Sequence, residues 1–334
     1  MQRWKACVAA AMWLAWAGGN VVRAEAPPPV AESERVMLWP GELTPGEHAR
    51  PGSERIVERS ADPMRSDRYM DRIARPHLVV HRPARPDGSA LLVIPGGGYT
   101  RVVLDKEGTA LVPAFAGAGG VTLFVLRYRL PGEGHAQAAQ VSLADAQRAL
   151  RLIRAHAADY AIDPARVGVM GFSAGGHLAA MLATQHARTV YAAVDAADTL
   201  SARPDLQLLV YPVIAMQGQA AHAGSRRRLL GEAPSEAAVR AASPQAWVQA
   251  QSPPAFLLHA QDDAAVPVAN SLLYAQALLQ AGVSTELHVF PRGGHGFGVR
   301  GTEGLTAAAW PQLALDWMRW QYAQRAKPQT ENTP

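Results

Sequence analysis

Short apolar runs and longer amphipathic stretches alternate through most of this chain. "HLVVHRP" (77–83), "ALLVIP" (90–95) and the longer β-branched and aromatic run "VTLFVLRYRL" (121–130) predict strands. "ADAQRALRLIRAHAADY" (144–160) repeats its apolar residues at helical spacing and stops before the turn signal "DP". The alternation continues with strand "RVGVMGF" (166–172), helix "AGGHLAAMLATQ" (174–185) and strands "LQLLVYPVI" (206–214) and "PAFLLHA" (254–260). Helix "ANSLLYAQALLQAG" (269–282), strand "TELHVFP" (285–291) and a last helix with Pro311 suited to its first turn complete it. Strands that are apolar on both faces must be covered on both. The pattern therefore predicts an α/β fold, a mostly parallel central sheet with helices on each side. In such sheets ligands bind at the carboxyl ends of the strands.

Two stretches break the pattern. Residues 25–50, "EAPPPVAESERVMLWPGELTPGEHAR", are rich in Pro, Glu and Gly and predict a linker and extended segment, with the folded body beginning near residue 54. Residues 215–252 carry only short helical pieces, too little for a domain but well placed as a partial cap over a site. The tail from residue 327 is polar, and no internal repeat is present.

Composition narrows the function classes. A chain of 334 residues, 49% hydrophobic and 18% charged, can bury a sizeable core. Of its formal charge of +4, Arg3, Lys5 and Arg23 carry most, and setting them aside leaves 29 basic against 28 acidic residues. That balance gives no electrostatic footprint for a nucleic-acid partner. The one basic cluster, Arg226 to Arg228, reads as a solvated helix face. Residues 1–24 combine a basic start, a short apolar middle and small residues before a cut after Ala24, the pattern of a secretory signal too short for a membrane span. The expected location is periplasmic or secreted, without stable membrane insertion after cleavage. The only cysteine, Cys7, lies in that signal, so no disulfide is expected in the mature chain.

Candidate chemistry gathers just after the predicted strands. "VMGFSAGGHLAA" puts Ser173 at a strand-to-helix junction between Gly171 and Gly175, the mechanical requirement of a nucleophile elbow. A lone G-x-S-x-G is weak in a chain with 29 glycines; its position at such a junction is what gives it weight. "LLVIPGGGYT" ends a strand in Gly96, Gly97 and Gly98, whose bare amides can approach a carbonyl. The amides of Gly97, Gly98 and Ala174 are accordingly assigned to an oxyanion hole. "FLLHAQDDAAVP" and "LHVFPRGGHGFG" then place Asp262 or Asp263, and His295, in loops at the same edge of the sheet. A histidine there could carry the serine proton while a carboxylate orients it. Tyr99, beside the glycines, either borders an acyl pocket or packs as a loop aromatic.

Other residues have plainer readings. His177 suits helix packing and His135 a loop; "HLVVH" (77–81) lacks the glutamate and helix of a zinc protease site. Asp145 suits a helix start and Asp163 a turn. No Cys/His cluster suggests a metal, and no cofactor is expected.

Taken together, "IPGGGYTRVVLDKEG", "YRLP", "IDPARVGVMGFSAGGHLAA", "SPPAFLLHAQDDAAVPVANSLLYAQAL" and "HVFPRGGHGFG" resemble α/β-hydrolases. More narrowly, they resemble secreted bacterial carbohydrate esterases of the acetylxylan and feruloyl esterase type, kin to prolyl-oligopeptidase-like hydrolases. The resemblance spans residues 36 to 324. It implies a hydrolase domain over 51–326 and selects Asp263 over Asp262, since the family's aspartate stands four residues after the histidine of "LHAQDD" and three before "VP". It further implies a serine esterase acting on an acylated plant-wall oligosaccharide or polysaccharide, acetate ranking before ferulate. More distant relatives begin the glycine loop with histidine, where this chain has Pro95. A prolyl-oligopeptidase-like peptidase is the alternative, disfavoured because the stretch ahead of the body is too short for a propeller.

Overall fold

A computed structural model of the chain describes residues 34–41 and 54–326. The expected signal segment 1–24, with Cys7, and the polar tail 327–334 lie outside the described residues, as does most of the 25–50 segment. In chain order the elements are β1 (Arg35–Met37), β2 (Arg55–Glu58), β3 (Arg68–Asp71), β4 (His77–His81), β5 (Ala90–Ile94), β6 (Val102–Val103) and β7 (Thr122–Arg127). Then follow α1 (Ala138–Ala155), β8 (Val167–Phe172), α2 (Ala174–Gln185), β9 (Gln207–Val210), α3 (Ala223–Leu230), α4 (Glu236–Ala241), β10 (Ala255–Ala260), α5 (Ala269–Gln280), β11 (Thr285–Phe290) and α6 (Trp310–Ala326).

Eight strands form one sheet in the order β1-β4-β7-β5-β8-β9-β10-β11. From β7 through β11 every pairing is parallel; β4 and β1 add two antiparallel strands at one edge. Side chains of a strand alternate between its faces. Leu92 and Ile94 accordingly join a core with α1, α2 and α5, while Leu91 and Val93 join a second core with α6 and Phe115. Every residue of β5, β7, β8, β9 and β10 is buried, which is why these segments read as unbroken apolar runs. Truncating one such leucine to alanine costs about 2–5 kcal/mol.

The body begins earlier than residue 54. Arg35–Met37 pair with β4, and Leu38 and Trp39 behind them are buried. Trp39 Nε1 donates to Asp145 Oδ1 at 2.8 Å, and Arg129 Nη2 meets the same oxygen at 2.6 Å. Asp145 was expected at a helix start. It lies in the third turn of α1 instead, because that helix begins at Ala138, and both members of its ion pair are fully buried. Asp163 does serve a turn, accepting from the Ala165 amide at 2.9 Å. A small antiparallel sheet, β2-β3-β6, was not expected. Its strands are too short, and β2 too exposed, to leave an apolar signature. No described helix is long and apolar enough to cross a membrane.

Candidate active site

Ser173 stands between the end of β8 and the first residue of α2, with φ +52° and ψ −120°. Such a backbone costs a non-glycine residue on the order of 1–3 kcal/mol and persists only when its surroundings enforce it. Here they do: the Ser173 amide donates to Val210 O at 3.1 Å, and its carbonyl accepts from Val213 N at 3.0 Å and His177 N at 3.1 Å. The turn is tight enough that a Cβ on Gly175 would strike the carbonyls of Ile94 and Pro95. The strand-to-helix reading of Gly171-Phe172-Ser173-Ala174-Gly175 thus has a steric basis.

Ser173 Oγ lies 2.8 Å from His295 Nε2, and His295 Nδ1 lies 2.7 Å from Asp263 Oδ2. Three loops, after β8, β10 and β11, converge to make this chain of hydrogen bonds. Asp263 is buried, and burial raises its pKa, but contacts with His259 and His295 and the Val266 amide outweigh that. The carboxyl is held well below the ordinary aspartate range. Its Oδ1 accepts from Ala265 N at 3.0 Å and Val266 N at 2.8 Å. Asp262 does something different: its Oδ1 accepts from the Gly294 amide at 2.7 Å and so ties down the loop that carries His295.

The glycine loop follows β5, as expected. Gly97 (φ +133°) and Gly98 (φ +66°) adopt backbone that side chains rarely allow, and together with Ser173 and His295 they line a cavity of about 440 Å³. Ala174, the first residue of α2, follows Ser173 directly.

Tyr99 is not part of that cavity. Its ring lines a second, smaller one under the cap, and its hydroxyl lies 2.7 Å from His177 Nδ1. His177 Nε2 is 2.7 Å from Ala242 O, so the pair fastens the glycine loop to the cap region, and burial pushes the imidazole pKa down to about 4. His177 packs, as expected. The basic cluster does not stand wholly in solvent: Arg227 and Arg228, with His222 at the start of α3, line the cavity in front of Ser173.

Three residues of the site carried no signal strong enough to single out. Glu107 is fully buried, accepting from Gly96 N at 2.7 Å and from the Tyr211 hydroxyl at 3.0 Å. Burial raises its pKa, partly offset by those two donors. The Tyr211 hydroxyl oxygen in turn accepts from Gly298 N at 3.0 Å, and its ring stands edge-on to His295 with centroids 5.1 Å apart. His259 Nε2 lies 2.9 Å from Val266 O and 3.3 Å from Asp263 Oδ2, with Ser271 Oγ at its other nitrogen. The "KEG" and "LHA" stretches contain two of them, but only contact across the fold shows what they do. Among the described residues no group of three or more His, Cys, Asp or Glu side chains could hold a metal ion.

Residues 80–278 match the family model described as BD-FAE. The chain belongs to the BD-FAE family. An endo-1,4-beta-xylanase B of Butyrivibrio fibrisolvens is 38% identical to this BD-FAE chain over 213 residues, 64% of the chain and 33% of that protein. An acetylxylan esterase of Xylanibacter ruminicola is 33% identical over 225 residues, 66% of the chain and 43% of that protein. The chain thus matches between a third and under half of the length of these curated relatives. Among solved structures, an acetyl ester-xyloside bifunctional hydrolase of Caldicellulosiruptor lactoaceticus superposes with a TM-score of 0.71 at 34% identity, covering 88% of this chain and 98% of that one. The fold is that of the α/β-hydrolase esterases.

Proposed function

We propose that this chain is a serine carboxylester hydrolase that removes acyl groups, acetyl first, from plant-wall carbohydrate such as xylan. The observation that carries the reading is the Ser173–His295–Asp263 chain of hydrogen bonds, at 2.8 and 2.7 Å, opening onto the cavity lined by Gly97 and Gly98. The substrate class rests on the relatives named for acetylxylan and acetyl ester-xyloside hydrolysis.

Ser173 Oγ attacks the ester carbonyl while His295 Nε2 takes its proton. The carbonyl oxygen gains negative charge and is met by the amides of Gly97, Gly98 and Ala174, at the positive end of α2. Asp263, held ionised, stabilises the imidazolium. On collapse the sugar alkoxide leaves with the proton from His295, and an acyl ester remains on Ser173. Water then gives its proton to His295 and attacks the same carbonyl; the acid leaves and Ser173 regains its proton. Every bond and proton is accounted for without a cofactor. Action outside the cytoplasm accords with the secretory pattern of residues 1–24.

The test is acetate release from acetylated xylan, beside ferulate release from a feruloylated arabinoxylan fragment, by the chain and its Ser173→Ala variant. Acetate release that the variant abolishes is the expected result. Ferulate alone moves the assignment to a feruloyl esterase, and release that survives in the variant overturns the role of Ser173.

A further inference from the structure

The cavity in front of Ser173 is lined by five cations, Arg59, Arg101, Lys106, Arg227 and Arg228, and by a single carboxylate, Glu107. Glu107 is buried and taken up by Gly96 and Tyr211. Arg59 is paired with Asp67 at 2.6 Å, and Arg227 stands 3.7 Å from Glu232 on an exposed surface. Arg101, Lys106 and Arg228 form no ion pair among the described residues, although the Lys106 charge acts through space on Glu107. These three come from different parts of the chain. Arg101 packs its stem beside Gly97 and sets its guanidinium 5.0 Å over the Tyr69 ring. Lys106 reaches the other side, where its Nζ would be the nearest atom, at 4.0 Å, to a Cβ built on Gly296 beside His295. Arg228 comes down from the cap, on α3.

Three cations outside any ion pair thus gather around the cavity that holds Ser173. Surface charges ordinarily stand among opposite ones or in open water. A concave site lined by one sign of charge focuses the field and concentrates ligands of the opposite sign. We propose that this cavity selects esters carrying a second, free carboxylate, the chemistry a uronic-acid branch supplies on an acylated saccharide. The proposal rests on the serine esterase reading and adds the charge of its substrate.

The experiment compares kcat/KM on two pairs of esters. One pair is an acetylated xylo-oligosaccharide with and without a uronic-acid branch, which places the carboxylate on the alcohol side. The other is 4-nitrophenyl hemisuccinate against 4-nitrophenyl acetate, which places it on the acyl side. A preference for the anionic member of about tenfold or more is expected in the first pair. It should shrink as salt rises from about 0.01 M to 1 M, because the Debye length falls from about 30 to 3 Å. Arg101→Gln, Lys106→Gln and Arg228→Gln should each lower the ratio of anionic to neutral kcat/KM several-fold, with melting temperatures checking that each variant folds. A preference in the second pair alone keeps the anion subsite and moves it to the acyl side. Equal kcat/KM within both pairs overturns the proposal while leaving the esterase reading in place; no hydrolysis of any of the four overturns both.

Discussion

Glu107→Gln is the perturbation with the most to say about how the site is assembled. The carboxylate accepts two hydrogen bonds in the protein interior, one from Gly96 at the root of the glycine loop and one from Tyr211, whose oxygen accepts from Gly298 three residues beyond His295. Every proton in that sequence points toward Glu107. A glutamine of the same shape has one acceptor and one donor. If its oxygen faces Gly96, its amide faces a Tyr211 oxygen that already accepts, and the phenolic proton loses its partner. If its oxygen faces Tyr211, two N–H groups oppose each other at Gly96. Either arrangement leaves one buried donor unsatisfied, at a cost of about 1–3 kcal/mol.

The same residue holds the loops that carry the proposed oxyanion amides and His295, so part of that cost should appear in the rate. Loss of a single oxyanion donor costs about 10²–10³ in kcat, which sets the ceiling. Displacement rather than loss predicts about 10 to 100-fold in kcat, with KM little changed. The assay is steady-state hydrolysis of 4-nitrophenyl acetate across pH, alongside the melting temperature. Burial raises the Glu107 pKa above the ordinary glutamate value. As pH falls through that raised value the wild-type carboxyl takes a proton and acquires the donor–acceptor pattern of glutamine, so wild-type kcat should fall on the acid side toward that of the variant. Wild-type kcat in Glu107→Gln at neutral pH would refute the reasoning, as would a fall in stability with no change in rate.

Further outcomes follow from single contacts. Asp263→Asn should cost about 10⁴ in kcat on the same ester, because an amide cannot hold the His295 tautomer. Asp262→Asn, which only weakens the tie to the Gly294 amide, should cost far less, and a reversal of the two would exchange their assignments. His81 is buried, both of its nitrogens lack a partner among the described residues, and burial with the nearby Arg127 pushes its pKa down to about 4. The unfolded chain takes that proton at about pH 6.5 and the folded one does not, so stability is full above pH 6.5 and is lost as pH falls toward 4, by about 3 kcal/mol. Urea unfolding of His81→Phe should show a flatter dependence across that window; an unchanged slope excludes His81 as its source. Asp145→Asn removes the charge from a fully buried ion pair with Arg129 and should lower the unfolding free energy by about 3–5 kcal/mol, measured by the same titration.

What the sequence made legible was what repeats locally. β5, β7, β8, β9 and β10 announce themselves because all their residues are buried, and Ser173 does because a strand, a glycine, the serine and a second glycine must follow one another without a gap for the turn to close. β11 was found by its β-branched and aromatic content, although it is only half buried. β2, β3 and β6 went unseen because a strand of two to four residues, stabilised by partners elsewhere, has no period to read. β1 was hidden by the prolines and glutamates around it, since what fixes it is Trp39 reaching Asp145 across 106 residues.

The same division runs through the site. The residues proposed to act on the ester sit where the chain itself must be unusual, at a strained turn or just past the end of a strand. Residues that hold those in place need only a well-placed oxygen or nitrogen, which any buried Glu, Tyr or His can supply. Glu107, Tyr211 and His259 therefore look ordinary in one dimension. Arg227 and Arg228 read as a solvated face and are indeed exposed, but only the fold shows that the same two side chains also line the cavity that holds Ser173. A site's chemistry is thus written locally, while its electrostatics and its stiffness depend on which loops the sheet brings together, and those are the properties that decide which ester such a serine accepts.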